Sequence, residues 1–252
     1  MRVCSASLAK LRGLSTRLLS IPLLSTPLLA GCSGPYSILD PAGPSAQQVA
    51  PLWWGMFTVA ALVTVLVAVI WCRGVARKGE ELDDAGERRV RDRWIWAGGI
   101  ALPTVSVAVL LAFGIPAAQR MLPLPDAERP ALRIDVDARR WYWQVSYPEH
   151  GITLIDEIHI PVDTPIDFHI SSSDVIHGFW VPRLGGKLDA IPGRVNVLRL
   201  EAENPGTYGG RCAEFCGVGH AHMPFRLTAH SAAEFESWLA SRHDSTGEES
   251  DE

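Results

Sequence analysis

Cysteine is sparse in this chain, and what there is lies scattered. The five residues (4, 32, 72, 212 and 216) do not form the regular framework of a small disulfide-stapled domain. No Cys-x-x-Cys-His motif is present, so no c-type haem is attached to the chain. There are no internal repeats. Charge is missing from two long stretches, Leu52 to Cys72 and Trp94 to Ala118. Basic residues are also scarce in the distal half. From Met121 to Glu252 there are 11 Lys/Arg against 21 Asp/Glu, a net of −10. That balance argues against nucleic acid and suits a basic protein partner.

Apolar residues, by contrast, are abundant. They make up 47% of the 252 residues, with a mean hydropathy of +0.10. This is too apolar for an ordinary soluble protein and too charged for one that is all membrane. Residues 1–31 carry Arg2, Lys10, Arg12 and Arg17, then the run LLSIPLLSTPLLA, and read as an export leader. Pro22 and Pro27 disfavour a lasting span there. The leader ends in LLAGC, which admits two readings: a simple secretory signal with Cys32 incidental, or a site resembling that of bacterial lipoproteins, with Cys32 the lipidated N-terminus. The second is adopted. Residues 32–51 are rich in Gly and Pro and read as a linker.

The uncharged run over 52–72 is long enough to cross a bilayer core, and Trp53, Trp54 and Trp71 mark its ends. Residues 73–93 read as a charged loop with seven basic and six acidic residues. Orientation follows Lys and Arg rather than net charge, which puts this loop in the cytoplasm. A second span over 94–118 is expected to be bent or locally adjusted at Pro103. Both ends of the mature chain then face outward.

The outer part, 121–230, reads as β-rich. LRIDVDARRWYWQVSYP alternates like a strand, and ITLIDEIHIPVDTPIDFHISSSDVIHGFWVP offers short β-branched runs broken by Pro, Asp and Ser. RVNVLRLEAENPGTYGG and MPFRLTAH complete a sandwich or barrel. Within 231–252, SAAEFESWLA reads as a short helix with Ser231 as N-cap, and DSTGEESDE as a disordered acidic tail.

The chemistry is concentrated in CAEFCGVGHAHM, Cys212 to Met223. A disulfide between Cys212 and Cys216 suits an oxidising compartment but leaves His220 and Met223 unexplained. Zinc sites favour closer cysteine spacings and rarely use Met. Cys, His and Met together point to copper. A mononuclear blue-type site would take Cys216, His220, Met223 and a second histidine from elsewhere, for which His177 in DVIHGFWVP is the best candidate. Cys212 is one thiolate too many for a single ion. Two bridging thiolates, two imidazoles, a thioether and the carbonyl of Glu214 would serve two coppers, and an electron shared over both would change each bond length little.

The Cys-x3-Cys-x3-His-x2-Met loop, the upstream DVIH, RWYWQ (140–144), residues 174–194 and the two-span hairpin together resemble subunit II of cytochrome c oxidases. The resemblance implies a two-helix transmembrane hairpin followed by an all-β, cupredoxin-like Greek-key barrel. It implies a binuclear CuA centre with His177, Cys212, Cys216, His220 and Met223 as side-chain ligands and Glu214 ligating through its carbonyl. The Glu214 carboxylate would also reach a magnesium or manganese ion shared with subunit I. Trp141 would be the point where electrons enter from cytochrome c, with Tyr142 near the docking surface.

The implied partners are subunit I, other oxidase subunits, cytochrome c and membrane lipid, at the bacterial inner membrane with the C-terminal domain outside. His222, two residues past His220, is a competing ligand candidate. The remaining histidines, His150, His159, His169, His230 and His243, lack metal-ligand context. Two features depart from the family. Arg139 and Arg140 add positive charge beside Trp141, with Asp135, Asp137, Glu157 and Asp174 as compensating acids. The second span carries no carboxylate after Asp92, which leaves the usual proton-channel entrance unassigned. The alternatives are a quinol oxidase subunit II, whose relatives typically lack the copper ligands, and a membrane-anchored carrier of a single copper.

Overall fold

The computed structural model describes residues 33–76 and 83–247; the leader, Cys32 and the last five residues of the acidic tail lie outside them. Helix α1 spans Pro44–Ala76. At 1.5 Å per residue its 33 residues extend about 50 Å, longer than a bilayer core. A second helical rod runs from Asp84 to Gln119. It consists of α2 (Asp84–Trp94), a widened stretch over Ile95–Ala101, and α3 (Leu102–Arg120). Both rods are apolar enough to cross a membrane, and their most apolar windows are almost wholly exposed.

Two expectations change here. The charged segment before the second span is helical from Asp84, because Asp83 caps it by accepting a hydrogen bond from the Gly86 N–H at 2.9 Å. The adjustment expected at Pro103 lies just upstream of it. The ring of Pro103 would crowd the carbonyl four residues back, and proline has no N–H to offer. The helix widens instead, so that the Leu102 N–H bonds five residues back to Ala97.

The β domain is two packed five-stranded sheets. The strands are β1 (Leu132–Arg139), β2 (Tyr142–Tyr147), β3 (Ile152–Ile155), β4 (Glu157–Pro161) and β5 (Ile166–Ser172). They continue with β6 (His177–Trp180), β7 (Leu188–Ala190), β8 (Asn196–Leu200), β9 (Gly206–Cys212) and β10 (Pro224–His230). One sheet runs β3-β2-β1-β5-β8 and the other β4-β10-β9-β6-β7. The β1–β5 and β4–β10 pairs are parallel and the remaining pairs antiparallel. Alternation does the sorting: Ile134, Val136 and Ala138 of β1 and Trp143, Val145 and Tyr147 of β2 all turn inward. This is the expected hairpin followed by an all-β domain.

The chain closes with α4 (Ala232–Gly247), longer than expected because it runs through DSTG. Ser231 and Glu234 form a capping box: Ser231 Oγ accepts from the Glu234 N–H, and the Glu234 carboxylate accepts from the Ser231 N–H.

The presumed linker is a strap bound to the sandwich. The Ala42 and Ala46 N–H groups donate to the Arg183 and Leu184 carbonyls, and the Glu203 N–H donates to the Ala42 carbonyl. Arg183 returns through Nε to the Asp40 carbonyl at 2.9 Å and pairs with the Asp40 carboxylate at 3.0 Å. The Tyr36 ring lies against Gly209, where a Cβ would come within 2.5 Å of it. Composition reads as loose chain, but long-range backbone bonds fix the path.

Candidate metal centre

Strand β9 ends at Cys212, and β10 begins one residue after Met223. The intervening loop therefore hangs on two adjacent, hydrogen-bonded strands. The Cys212 N–H donates to the Met223 carbonyl at 3.2 Å and closes the loop at its base. Gly217, at φ +121°, makes a turn that side-chain-bearing residues rarely adopt. His177 comes from the neighbouring strand β6, whose Phe179 pairs with Cys212.

Cys212, Cys216, Met223 and His177 are buried, and His220 is partly buried. The two Sγ atoms stand 3.8 Å apart, far beyond the ~2.05 Å of a disulfide, and both cysteines are free. His177 Nδ1 lies 3.9 Å from Cys212 Sγ, and His220 Nδ1 lies 3.6 Å from Cys216 Sγ. Met223 Sδ is 4.0 Å from Cys216 Sγ, and the Glu214 carbonyl oxygen is 3.2 Å from Cys212 Sγ. An ion bonded to two sulfurs at about 2.3 Å with a near-tetrahedral angle holds them about 3.8 Å apart. The sulfur spacing therefore fits a shared ion. The donor set of two thiols, two imidazoles, a thioether and a carbonyl is soft to borderline, as copper requires. Burial, together with the Cys212 thiol beside it, pushes the Cys216 thiol up to about 11. A metal must then displace protons to bind the pair.

His177 is held by its other nitrogen. Nε2–H donates to Asp174 Oδ1 at 2.8 Å, which leaves the Nδ1 lone pair facing Cys212. Asp174 also accepts from the Val175 N–H at 2.6 Å, from the Arg140 N–H at 2.8 Å and from Arg140 Nε at 3.3 Å. Burial alone would raise this carboxyl, but these hydrogen bonds, that from His177 foremost, hold it well below the usual carboxylate range. Sequence reasoning missed this support, although the Asp-x-x-His spacing carries it.

Trp141 sits in the β1–β2 turn with its ring on the ligand loop. A Cβ on Gly219 would fall 2.2 Å from Trp141 Cδ2, so the glycine is what lets the indole approach. Its Nε1 is buried with no partner among the described residues. Tyr142 is half-buried and hydrogen-bonds Arg139, its cross-strand neighbour. The two flanking arginines are locally neutralised, Arg139 by Asp137 at 2.8 Å and Arg140 by Asp174. Asp135 is likewise paired, with Arg133 at 2.8 Å.

The Glu214 carboxylate points away from the sulfurs to an ion pair with Lys187. Phe215 and Val218 stand 80% and 92% exposed at the loop tip. His222 is exposed and lines a separate cleft of about 600 Å³ with Tyr36, Asp156 and Arg226.

The profile of the family described as "Cytochrome C oxidase subunit II, periplasmic domain" matches residues 152–230. Among curated proteins, cytochrome c oxidase subunit 2 of Alkalihalophilus pseudofirmus is 33% identical over 91% of this chain and 69% of its own length. Ubiquinol oxidase subunit 2 of Acetobacter aceti is 32% identical over 93% and 75%, and quinol oxidase subunit 2 of Bacillus cereus is 29% identical over 87% and 77%. Among solved structures, the periplasmic domain of cytochrome oxidase subunit II of Bradyrhizobium japonicum is 31% identical over 48% of this chain and 97% of that one, with a TM-score of 0.45.

Proposed function

The chain belongs to the cytochrome c oxidase subunit II family, which among haem-copper oxidases also embraces quinol oxidase subunits, and from this premise we propose that it serves a cytochrome c oxidase. In this reading His177, Cys212, Cys216, His220 and Met223, with the Glu214 carbonyl, hold two coppers as a CuA centre. The chain takes electrons one at a time from cytochrome c and delivers them to haem in subunit I, where oxygen is reduced to water. The copper pair supplies reversible one-electron redox chemistry. The carrying observation is that every donor of the set lies within 3.2–4.0 Å of a cysteine sulfur.

The surroundings serve that task. Asp174 fixes the tautomer and tilt of His177, so the ring need not reorganise when charge arrives. Trp141, seated on Gly217 and Gly219, gives electrons a short path from the surface into the loop. The half-exposed Glu214 carboxylate is placed to share a magnesium or manganese ion with subunit I once Lys187 releases it. The rods carry the domain on the outer face, with the basic segment after α1 in the cytoplasm. Lipidation at Cys32 would add a second anchor.

The quinol reading keeps support from the relatives, several of which are quinol oxidase subunits. Against it stands the complete ligand set, which the family resemblance implies quinol oxidase subunits lack. A carrier would hold one exchangeable copper in an open site, whereas four of the donor side chains here are buried. The deciding experiment is turnover of the chain assembled with its subunit I, supplied with reduced cytochrome c or with a quinol. Oxygen uptake driven by cytochrome c supports the proposal; uptake driven by quinol alone refutes it.

A further inference from the structure

Trp143 is fully buried, and as a core residue it has an ordinary explanation. Its contacts are not ordinary. It belongs to β2 in one sheet, while β6 and β9, which carry His177 and Cys212, and β10, which directly follows Met223, belong to the other. The indole crosses the sandwich and touches two ligand residues. Its Nε1–H donates to the Met223 carbonyl at 3.5 Å, the same oxygen that accepts the Cys212 N–H. Its ring meets the His177 ring edge-on, with centroids 6.0 Å apart at 64°.

The indole is itself held from several sides. Edge contacts to Phe179 at 5.5 Å and Phe225 at 5.4 Å pack it within the core. Its backbone N–H donates to Asp156 Oδ1 at 2.7 Å, and its carbonyl accepts from the Asp156 N–H at 2.9 Å. The Asp156 carbonyl in turn accepts from the Arg226 N–H at 2.9 Å, three residues past Met223. Trp143 is thus tied to the base of the ligand loop twice, once through its side chain and once through its backbone.

We infer that Trp143 is a positioning residue for the metal centre, setting the separation between the His177 arm and the Met223 arm. This rests on the copper reading above. The thioether is the weak ligand of such a site, and a weak ligand has little bond strength with which to choose its own distance. Its distance is therefore set by whatever holds the backbone of Met223. Cys212 fixes that backbone along the strand, and Trp143 fixes it across the sandwich.

The test compares the full chain, detergent-purified and copper-loaded, with two variants. Trp143→Phe keeps an aromatic ring and loses the N–H. Phe168→Leu changes another fully buried residue, which packs on Phe179 and belongs to β5, a strand that carries no ligand. The expected result is that Trp143→Phe lowers copper affinity about 10-fold to 100-fold, as loss of a ligand-supporting contact does elsewhere, and shifts the visible absorption and paramagnetic resonance spectra. Phe168→Leu should lower the melting temperature with the spectra unmoved. Affinity and spectra of Trp143→Phe equal to those of the unmodified chain would overturn the inference while leaving the copper reading intact. Failure of the unmodified chain to take up copper would overturn both, through their premise.

Should Trp143→Phe not fold, nitrogen-15 indole labelling of a Trp141→Phe chain supplies the second reading. A solvent-protected indole signal should move on copper(I) loading, and absence of that shift counts against the inference.

Discussion

At the residue scale, the candidate donor loop was legible because its chemistry is local: four of the donor side chains and a carbonyl fall within Cys212–Met223. His177 was legible only through DVIH, since nothing in spacing alone joins residues 35 apart. What supports the candidate ligands was only partly legible. Asp174 stands three residues before His177, within reach of the spacing, whereas Trp143 acts through a contact that exists only once the two sheets are packed. The same holds for the glycines under Trp141, where a sequence shows small residues but not the ring above them. Gly219→Ala should therefore displace the indole and cost about 1–3 kcal/mol by overpacking, read as a lower melting temperature. Electron uptake from cytochrome c should slow as well. Trp141→Phe should slow that uptake with the copper spectrum unchanged. Unaltered stopped-flow kinetics in both variants would remove Trp141 from the route.

At the element scale, alternation predicted the strands well, since one face of each is buried and the other solvated. The strap and the charged α2 were harder. The first is fixed by long-range bonds to Arg183 and Leu184, and the second is short, highly charged and buries no residue. Helix α4 packs through Trp238 on a pair of histidines that sequence context had left without a role. His159 stacks on Trp238 at 4.4 Å and on His230 at 5.1 Å, with His159 Nδ1 2.8 Å from His230 Nε2.

Burial pushes His159 down to about 4; His230 and Arg242 act in the same sense and Glu157 opposes them. An unfolded chain, with its histidine near 6.5, binds more protons than the folded one between these values. Stability is then complete above about pH 6.5 and declines as pH falls toward 4. Discounted for solvent screening, the loss is on the order of 1–2 kcal/mol. The opening free energy of α4, read from amide exchange corrected for its intrinsic pH dependence, should fall between pH 7 and pH 5 in the unmodified chain. His159→Phe should flatten that slope, and an equal slope in both would assign it to other groups.

At the scale of the whole molecule, two apolar rods and a net-acidic β sandwich divide the labour. The rods fix the chain at the membrane, and the strap ties the start of α1 to the Arg183–Leu184 turn just beyond β6, the strand that carries His177. In the proposed reading the metal centre is thereby held in register with the anchor, as handing electrons to a neighbouring subunit would require. The most direct measurement is copper content, with the paramagnetic resonance spectrum, of the full chain purified after copper loading, alongside Cys216→Ser. The account predicts two coppers per chain sharing one unpaired electron, and loss of that signal in Cys216→Ser with the spans still inserted. One copper per chain, none, or an unchanged spectrum in the variant would contradict it.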